Sequence, residues 1–138
     1  PGRTRFIAVC LLPGYVCLGI SGVSALLFGG VPVGPQYDAT LHAFFLGFVF
    51  AMIFAHAPII FPAVLGARMA YRPLFYAHVA LLQVTLVARV IGDVSGWGAG
   101  RQVGGLLNAV TLLLFLVNTV SALQSPPERA GTTQARPL

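Results

Sequence analysis

Residues 41–66, LHAFFLGFVFAMIFAHAPIIFPAVLG, form an apolar block whose only ionisable side chains are two histidines. A helix that crosses a bilayer needs about 20 predominantly apolar residues, and this block is long enough. Three further blocks of the same kind occupy residues 6–30, 73–91 and 103–123. A closed barrel would instead show short segments of alternating polarity, which this sequence lacks. The pattern therefore predicts an all-α integral membrane protein with four transmembrane helices.

The composition of the whole chain agrees with that prediction. Of its 138 residues, 57% are hydrophobic and 8% are charged, and the mean hydropathy is +0.88. A soluble domain carries about 25% charged residues, so a water-soluble enzyme is excluded. A disordered chain would have few large apolar side chains, and two cysteines cannot make a disulfide scaffold.

The arginines predict the topology. Short connections favour an up-down four-helix bundle in which consecutive helices are antiparallel. Six of the eight arginines then fall on one side, which the positive-inside rule assigns to the cytoplasm: Arg3, Arg5, Arg68, Arg72, Arg129 and Arg136. Both termini are expected there, in the inner (cytoplasmic) membrane of a bacterium, with a single transmembrane domain at 1–123 and a polar, flexible tail at 124–138. Scattered arginines form no basic stripe, so no nucleic-acid partner is expected.

The three histidines, His42, His56 and His78, all lie in or at predicted spans, where an ionisable side chain tends to face the bundle interior. The spacing of fourteen residues places His42 and His56 on one face of the second helix, about 21 Å apart along its axis. His56 and His78 differ in depth by roughly 6–7 Å, and as a pair they are candidates to hold one b-type haem. The alternatives are interfacial positions for His42 and His78, and a hydrogen bond from His56 to a carbonyl freed by Pro58 or Pro62.

Copper is the other candidate ligand of these side chains. Met52 lies one turn before His56, and soft sulfur ligands suit Cu(I). Cys10 and Cys17 share a face of the first helix, but they are more typical of small packing residues than of copper ligands. A histidine that ligates the magnesium of a (bacterio)chlorophyll is a further alternative.

Arg89 is the one arginine expected inside a span. Its simplest partner is Asp93, one turn later, and the alternative is that it neutralises a haem propionate or an acidic group of a partner protein. Polar residues of the fourth span are expected to form hydrogen bonds between helices: Asn108, Thr111, Asn118 and Thr119. The sequence contains no nucleophile beside a base, no carboxylate pair and no phosphate-binding loop, which argues against independent catalysis.

The stretch from His42 to Val64, with Leu46-Gly47-Phe48, Met52-Ile53 and Pro62, resembles the histidine-rich helices of the NnrS family. A second histidine-bearing helix, from His78 to Arg89, follows. The resemblance covers residues 40–92 and implies a haem- or copper-containing membrane protein of nitric-oxide stress, distantly similar to the catalytic subunit of haem–copper oxidases. The four spans of this chain, where that family has many, imply at most one cofactor site.

Two functions follow from these residues. The first is a small membrane subunit in which His56, with His42 or His78, holds a b-type haem or a metal for electron transfer or nitric-oxide-related redox chemistry. The second is a cofactor-free accessory subunit that packs against other subunits of a larger respiratory or photosynthetic complex. In both, the lipid bilayer is the expected surrounding medium.

Overall fold

The computed structural model describes residues 2–29, 32–66, 69 and 72–123. They form four helices that are long and apolar enough to span a membrane: α1 (Gly2–Phe28), α2 (Pro35–Leu65), α3 (Leu74–Ser95) and α4 (Gly98–Leu123). The chain is therefore an all-α integral membrane protein, as the sequence predicts. The predicted tail at 124–138 lies outside the described residues.

Three helices begin earlier than the hydropathy pattern predicts, and α1 starts at Gly2 rather than at residue 6. The pattern starts the second span at residue 41 and the fourth at residue 103, whereas α2 starts at Pro35 and α4 at Gly98. At the start of α2, Pro35 has the fixed φ that suits a first helical position, and Asp38 lies in the first turn, where a carboxylate offsets the helix dipole. Polar residues therefore extend the helix beyond its apolar segment. As a result, Asp38 lies within α2.

A π-helical segment at Ala43–Val49 interrupts α2 directly after His42. Because a π turn holds about one residue more than an α turn, it rotates the helix faces on its two sides by about 100° relative to each other. The prediction that His42 and His56 share one face assumed an unbroken α-helix and is wrong for this reason. The side chain of Gln83 in α3 donates to the carbonyl of Gly47 in this segment, at 3.5 Å.

Consecutive helices are antiparallel, and small residues let α1 and α2 approach closely. A Cβ atom on Gly47 would lie 2.5 Å from the Cβ atom of Cys17, and one on Gly14 would lie 3.2 Å from that of Ala51. Further along the same pair, the Ser21 hydroxyl donates to the Thr40 carbonyl at 3.1 Å. Close backbone packing of this kind replaces the hydrophobic driving force that helices lack in lipid.

Aromatic side chains fill the end of the bundle at which α1 and α3 begin and α2 and α4 end. Phe54 stacks on Phe115 with ring centroids 3.9 Å apart, and Phe6 lies 6.0 Å from Phe75. We call this region, defined by Phe6, Phe54, Phe75 and Phe115, the aromatic end. All four side chains are buried. It holds the two halves of the chain together, because it joins every helix to another.

Candidate metal centre

Helices α3 and α4 pack against each other along their length in one antiparallel register. At the α3–α4 turn, a Cβ atom on Gly92 would lie 2.5 Å from the backbone nitrogen of Arg101. One turn deeper, a Cβ on Gly104 would lie 2.9 Å from the Cα of Arg89. Two glycines therefore bring the helix backbones together at this end, and only there do buried charges occur in the described spans.

Farther along the contact between α3 and α4, polar side chains lie among the apolar side chains of the core. The Thr85 hydroxyl donates to Asn108 Oδ1 at 2.6 Å, which confirms the predicted interhelical role of Asn108. Thr111 instead donates to the carbonyl of Leu107 in its own helix. Asn118 Nδ2 and Thr119 Oγ1 are buried, and neither has a hydrogen-bond partner among the described residues.

Arg89 connects three helices at the glycine-lined end. Its Nη2 atom donates to Asp38 Oδ2 of α2 at 2.7 Å, and its Nη1 atom donates to the carbonyl of Arg101 of α4 at 3.0 Å. The predicted partner, Asp93, lies farther away, with 3.9 Å between Arg89 Nε and Asp93 Oδ2. Asp38 is therefore the principal partner of Arg89, although it lies 51 residues away in the sequence.

Asp93 is the most deeply buried charged side chain of this group. Its side chain has no exposed surface, and neither carboxylate oxygen has a hydrogen-bond partner in the described structure. Its nearest cationic atom is Arg101 Nε, 3.3 Å from Oδ1, on a side chain that is 49% exposed. Two guanidinium groups therefore balance the charge of Asp93 in part, while the lone pairs of its oxygens remain without donors. A buried acceptor in this condition is costly unless another group completes its coordination.

His42 lies beside the same carboxylates. Its Nδ1 atom is 2.8 Å from the backbone oxygen of Asp38 and 3.4 Å from Asp38 Oδ1. One ligand atom from each of Asp38, His42 and Asp93 can be chosen so that the three lie within 4.8 Å of one another. We call these three residues, with Arg89 and Arg101, the charged cluster. An open cavity of about 320 Å³, lined by Asp38, His42 and neighbouring apolar side chains, adjoins it.

His56 is half-buried, farther along α2. Its Nδ1 atom is 2.8 Å from the carbonyl oxygen of Met52, one turn earlier. Bonding to that carbonyl requires a proton on Nδ1 and leaves Nε2 with its lone pair, which is the tautomer that ligates metals and haem through Nε2. Met52 itself faces α1, where its methyl group lies 3.3 Å from the Cβ position of Gly14. The thioether is thus next to α1, away from the charged cluster.

His78 belongs to the aromatic end. Its ring lies 6.3 Å from that of Phe115 and 6.4 Å from that of Phe75, and the residue is 6% exposed. The Nδ1 atom is buried without a hydrogen bond in the described part of the chain, although the Leu74 carbonyl lies near it. Since phenylalanine rings cover the imidazole, a haem between His56 and His78 does not fit this packing.

Of the side chains singled out from the sequence, the structure brings His42 and Arg89 together, because both contact Asp38. It does not bring His78 to them. Asp38 itself is the residue that sequence reasoning missed, because it precedes the apolar block that begins at residue 41. The available signal was its position four residues before His42, which is one helical turn.

Comparison with protein families adds one finding. A family model described as a domain of unknown function, DUF8744, matches residues 1–124. The chain belongs to this family. The match covers all four helices and the charged cluster of this DUF8744 protein. Neither the curated proteins nor the solved structures contain a match to it, and no NnrS or haem–copper oxidase family is found.

Proposed function

We propose that this DUF8744 protein is a small membrane subunit that holds a metal or a haem through intramembrane histidines, for electron transfer or nitric-oxide-related redox chemistry. The observation that carries the proposal is the arrangement of His42 and His56. Each directs Nδ1 to the carbonyl four residues earlier, so that Nε2 is the nitrogen left to act as a ligand. The redox part of the proposal rests on the resemblance of residues 40–92 to the NnrS family.

The two histidines suit different ligands. His56 is half-buried in an apolar helix with Met52 next to it, so it suits a single axial bond to haem iron or a copper ion. His42 lies next to carboxylates, which suit a harder metal ion. His78 has no part in this proposal, because aromatic rings cover it. Arg89 is held by Asp38 and by the Arg101 carbonyl, which leaves it poorly placed to reach a propionate.

The test is the cofactor content of the full chain purified from membranes in mild detergent. We expect either a haem band in the reduced-minus-oxidised spectrum or a stoichiometric metal in elemental analysis. If the cofactor is held by His56, the His56→Gln variant should lose it while His78→Gln, the matched control, keeps it. Loss in His78→Gln alone would contradict the assignment. Absence of any band and any metal would contradict the proposed function.

The second candidate function is a cofactor-free accessory subunit in a larger membrane complex. The observation that favours it is the charge balance of the cluster, in which Asp38 and Asp93 face Arg89 and Arg101. Such a network can hold three helices together without any ligand. This function predicts that the metal-free chain co-purifies with other membrane subunits after gentle solubilisation, and that His42→Gln and His56→Gln leave this association unchanged.

By the positive-inside argument, we further propose a bacterial inner membrane with both termini in the cytoplasm. The charged cluster would then lie toward the opposite face of that membrane.

A further inference from the structure

We propose that Asp38, His42 and Asp93 bind a divalent first-row metal ion, such as Mn²⁺, Fe²⁺ or Zn²⁺, at the end of the bundle where α2 and α4 begin. The inference rests on the proposed function, since it names the ligand class of one of its two histidines. It concerns a different site from His56, so the two can be tested separately.

The first support is the spacing of the ligand atoms. Oxygen and nitrogen ligands lie about 2.0–2.2 Å from such an ion, so two ligands on opposite sides of it are about 4 Å apart. The ligand atoms of Asp38, His42 and Asp93 already lie within 4.8 Å of one another. The spacing of the three ligand atoms is therefore close to what an ion held between them requires. Asp38 and His42 lie one turn apart on α2, and Asp93 completes the site from α3.

The second, independent support is the state of Asp93. Its side chain is fully buried, and both oxygens lack hydrogen-bond donors in the part of the chain that the structure describes. The two arginine Nε atoms near it, at 3.3 and 3.9 Å, make ion pairs without hydrogen-bond geometry. Lone pairs on a buried carboxylate are thus available to a cation, and a metal ion at this position would remove the cost of leaving them unmet.

The donor set indicates the class of metal. Two carboxylates and one imidazole favour borderline or hard divalent ions, whereas Cu(I) prefers sulfur. The sulfur side chains lie elsewhere: Met52 faces Gly14 of α1, and the Cys17 thiol lies 3.6 Å from Gln83 Oε1. Within the described structure, the charged cluster therefore offers oxygen and nitrogen ligands without sulfur.

The arginines allow a specific test of the proposal, because their guanidinium groups compete with a metal ion for the carboxylates. Arg89 is 14% exposed and is also held by a backbone carbonyl, so it stays in place. Arg101 is 49% exposed and lies near the end of its helix, so its side chain can turn toward water or lipid head groups. A divalent ion would displace Arg101 from Asp93. Removing the Arg101 charge should therefore strengthen metal binding, whereas it should weaken a cluster that serves only as an ion-pair network.

The test is a titration of the purified, untagged full chain in detergent with Mn²⁺, followed by electron paramagnetic resonance, and with Co²⁺, followed by its visible d–d bands. We expect one ion per chain, at least 10-fold weaker binding in His42→Gln, and several-fold tighter binding in Arg101→Gln. The variant His78→Gln is the matched control, because His78 lies at the aromatic end, and it should bind as the unmodified chain does. Circular dichroism and gel filtration of each variant establish that it is folded.

Unchanged binding in His42→Gln, or weaker binding in Arg101→Gln, would overturn the inference. So would the absence of saturable binding to the unmodified chain. None of these results contradicts the proposed function if His56→Gln still removes a haem or metal from the chain as isolated. Conversely, a chain isolated without cofactor that nevertheless binds Mn²⁺ through His42 would contradict the redox function and leave the metal site standing.

Discussion

The two ends of the bundle are held together by different forces. At the aromatic end, Phe54 and Phe115 stack face to face, and no charged side chain is buried there among the described residues. At the other end, Arg89 joins Asp38 of α2 to the carbonyl of Arg101, and Gly92 and Gly104 let the α3 and α4 backbones touch. Ring stacking tolerates small shifts of the helices, whereas ion pairs and glycine contacts require a definite register. The aromatic end therefore holds the helices together without fixing their register, whereas the end with the charged cluster fixes it.

The largest effect is expected from removing the charge that joins three helices. Arg89→Met keeps the length of the side chain but leaves Asp38 and Asp93 without their shared partner. Taking away one member of a fully buried ion pair costs about 3–5 kcal/mol of stability. The Asp38 side chain is 29% exposed and Asp93 keeps Arg101 at 3.3 Å, so we expect a loss at the lower end of that range, about 3 kcal/mol. A denaturant titration in mixed micelles would measure this loss. Arg101→Met is the control: its side chain is 49% exposed, so its loss should cost about 1 kcal/mol or less. Equal losses in the two variants would remove the distinction between the two arginines.

The next effect tests the aromatic end. Phe54→Ala removes one ring of the closest stack and opens a cavity beside Phe115. In soluble cores such a change costs about 3–5 kcal/mol, and in lipid we expect about 2–3 kcal/mol because the transfer of the ring from water contributes little. The same micellar titration would measure it. Metal binding at the charged cluster should not change, since that site lies at the opposite end. A parallel loss of Mn²⁺ affinity would contradict the independence of the two ends.

The smallest effect sharpens the role of the glycines. In Gly92→Ala, the new Cβ would lie 2.5 Å from the Arg101 backbone nitrogen, which forces α3 and α4 apart. We expect a loss of about 1–3 kcal/mol, the usual cost of overpacking. Gly22→Ala in α1 is the matched control, because its Cβ would have nothing within 4 Å and alanine favours the helix by roughly 0.5–1 kcal/mol. If Gly92→Ala were as stable as Gly22→Ala, close backbone contact would not be what sets the register.

The sequence predicted the helices more completely than it predicted the site. Hydropathy identified all four spans, since a bilayer imposes nearly the same requirement on each of them. It misplaced the starts of α2 and α4, because Asp38 and the glycines before residue 103 are polar or small yet still helical. Sequence periodicity also could not predict the angle between His42 and His56 around the axis of α2. The π-helical segment between them leaves no mark in composition, and Gln83 of another helix meets the carbonyl of Gly47 within it.

The sequence by itself determined the class of the protein, the number of its spans and the small set of ionisable groups within them. These properties follow from the cost of placing polar atoms in lipid, which acts on each segment separately. Only the tertiary structure decided that Asp38, from the start of one helix, meets Arg89 and Asp93 from the end of another, while His78 is enclosed by phenylalanine rings. Those partnerships depend on helix rotation and register, which the packing of glycines and the π-helical turn set, and no single segment encodes them.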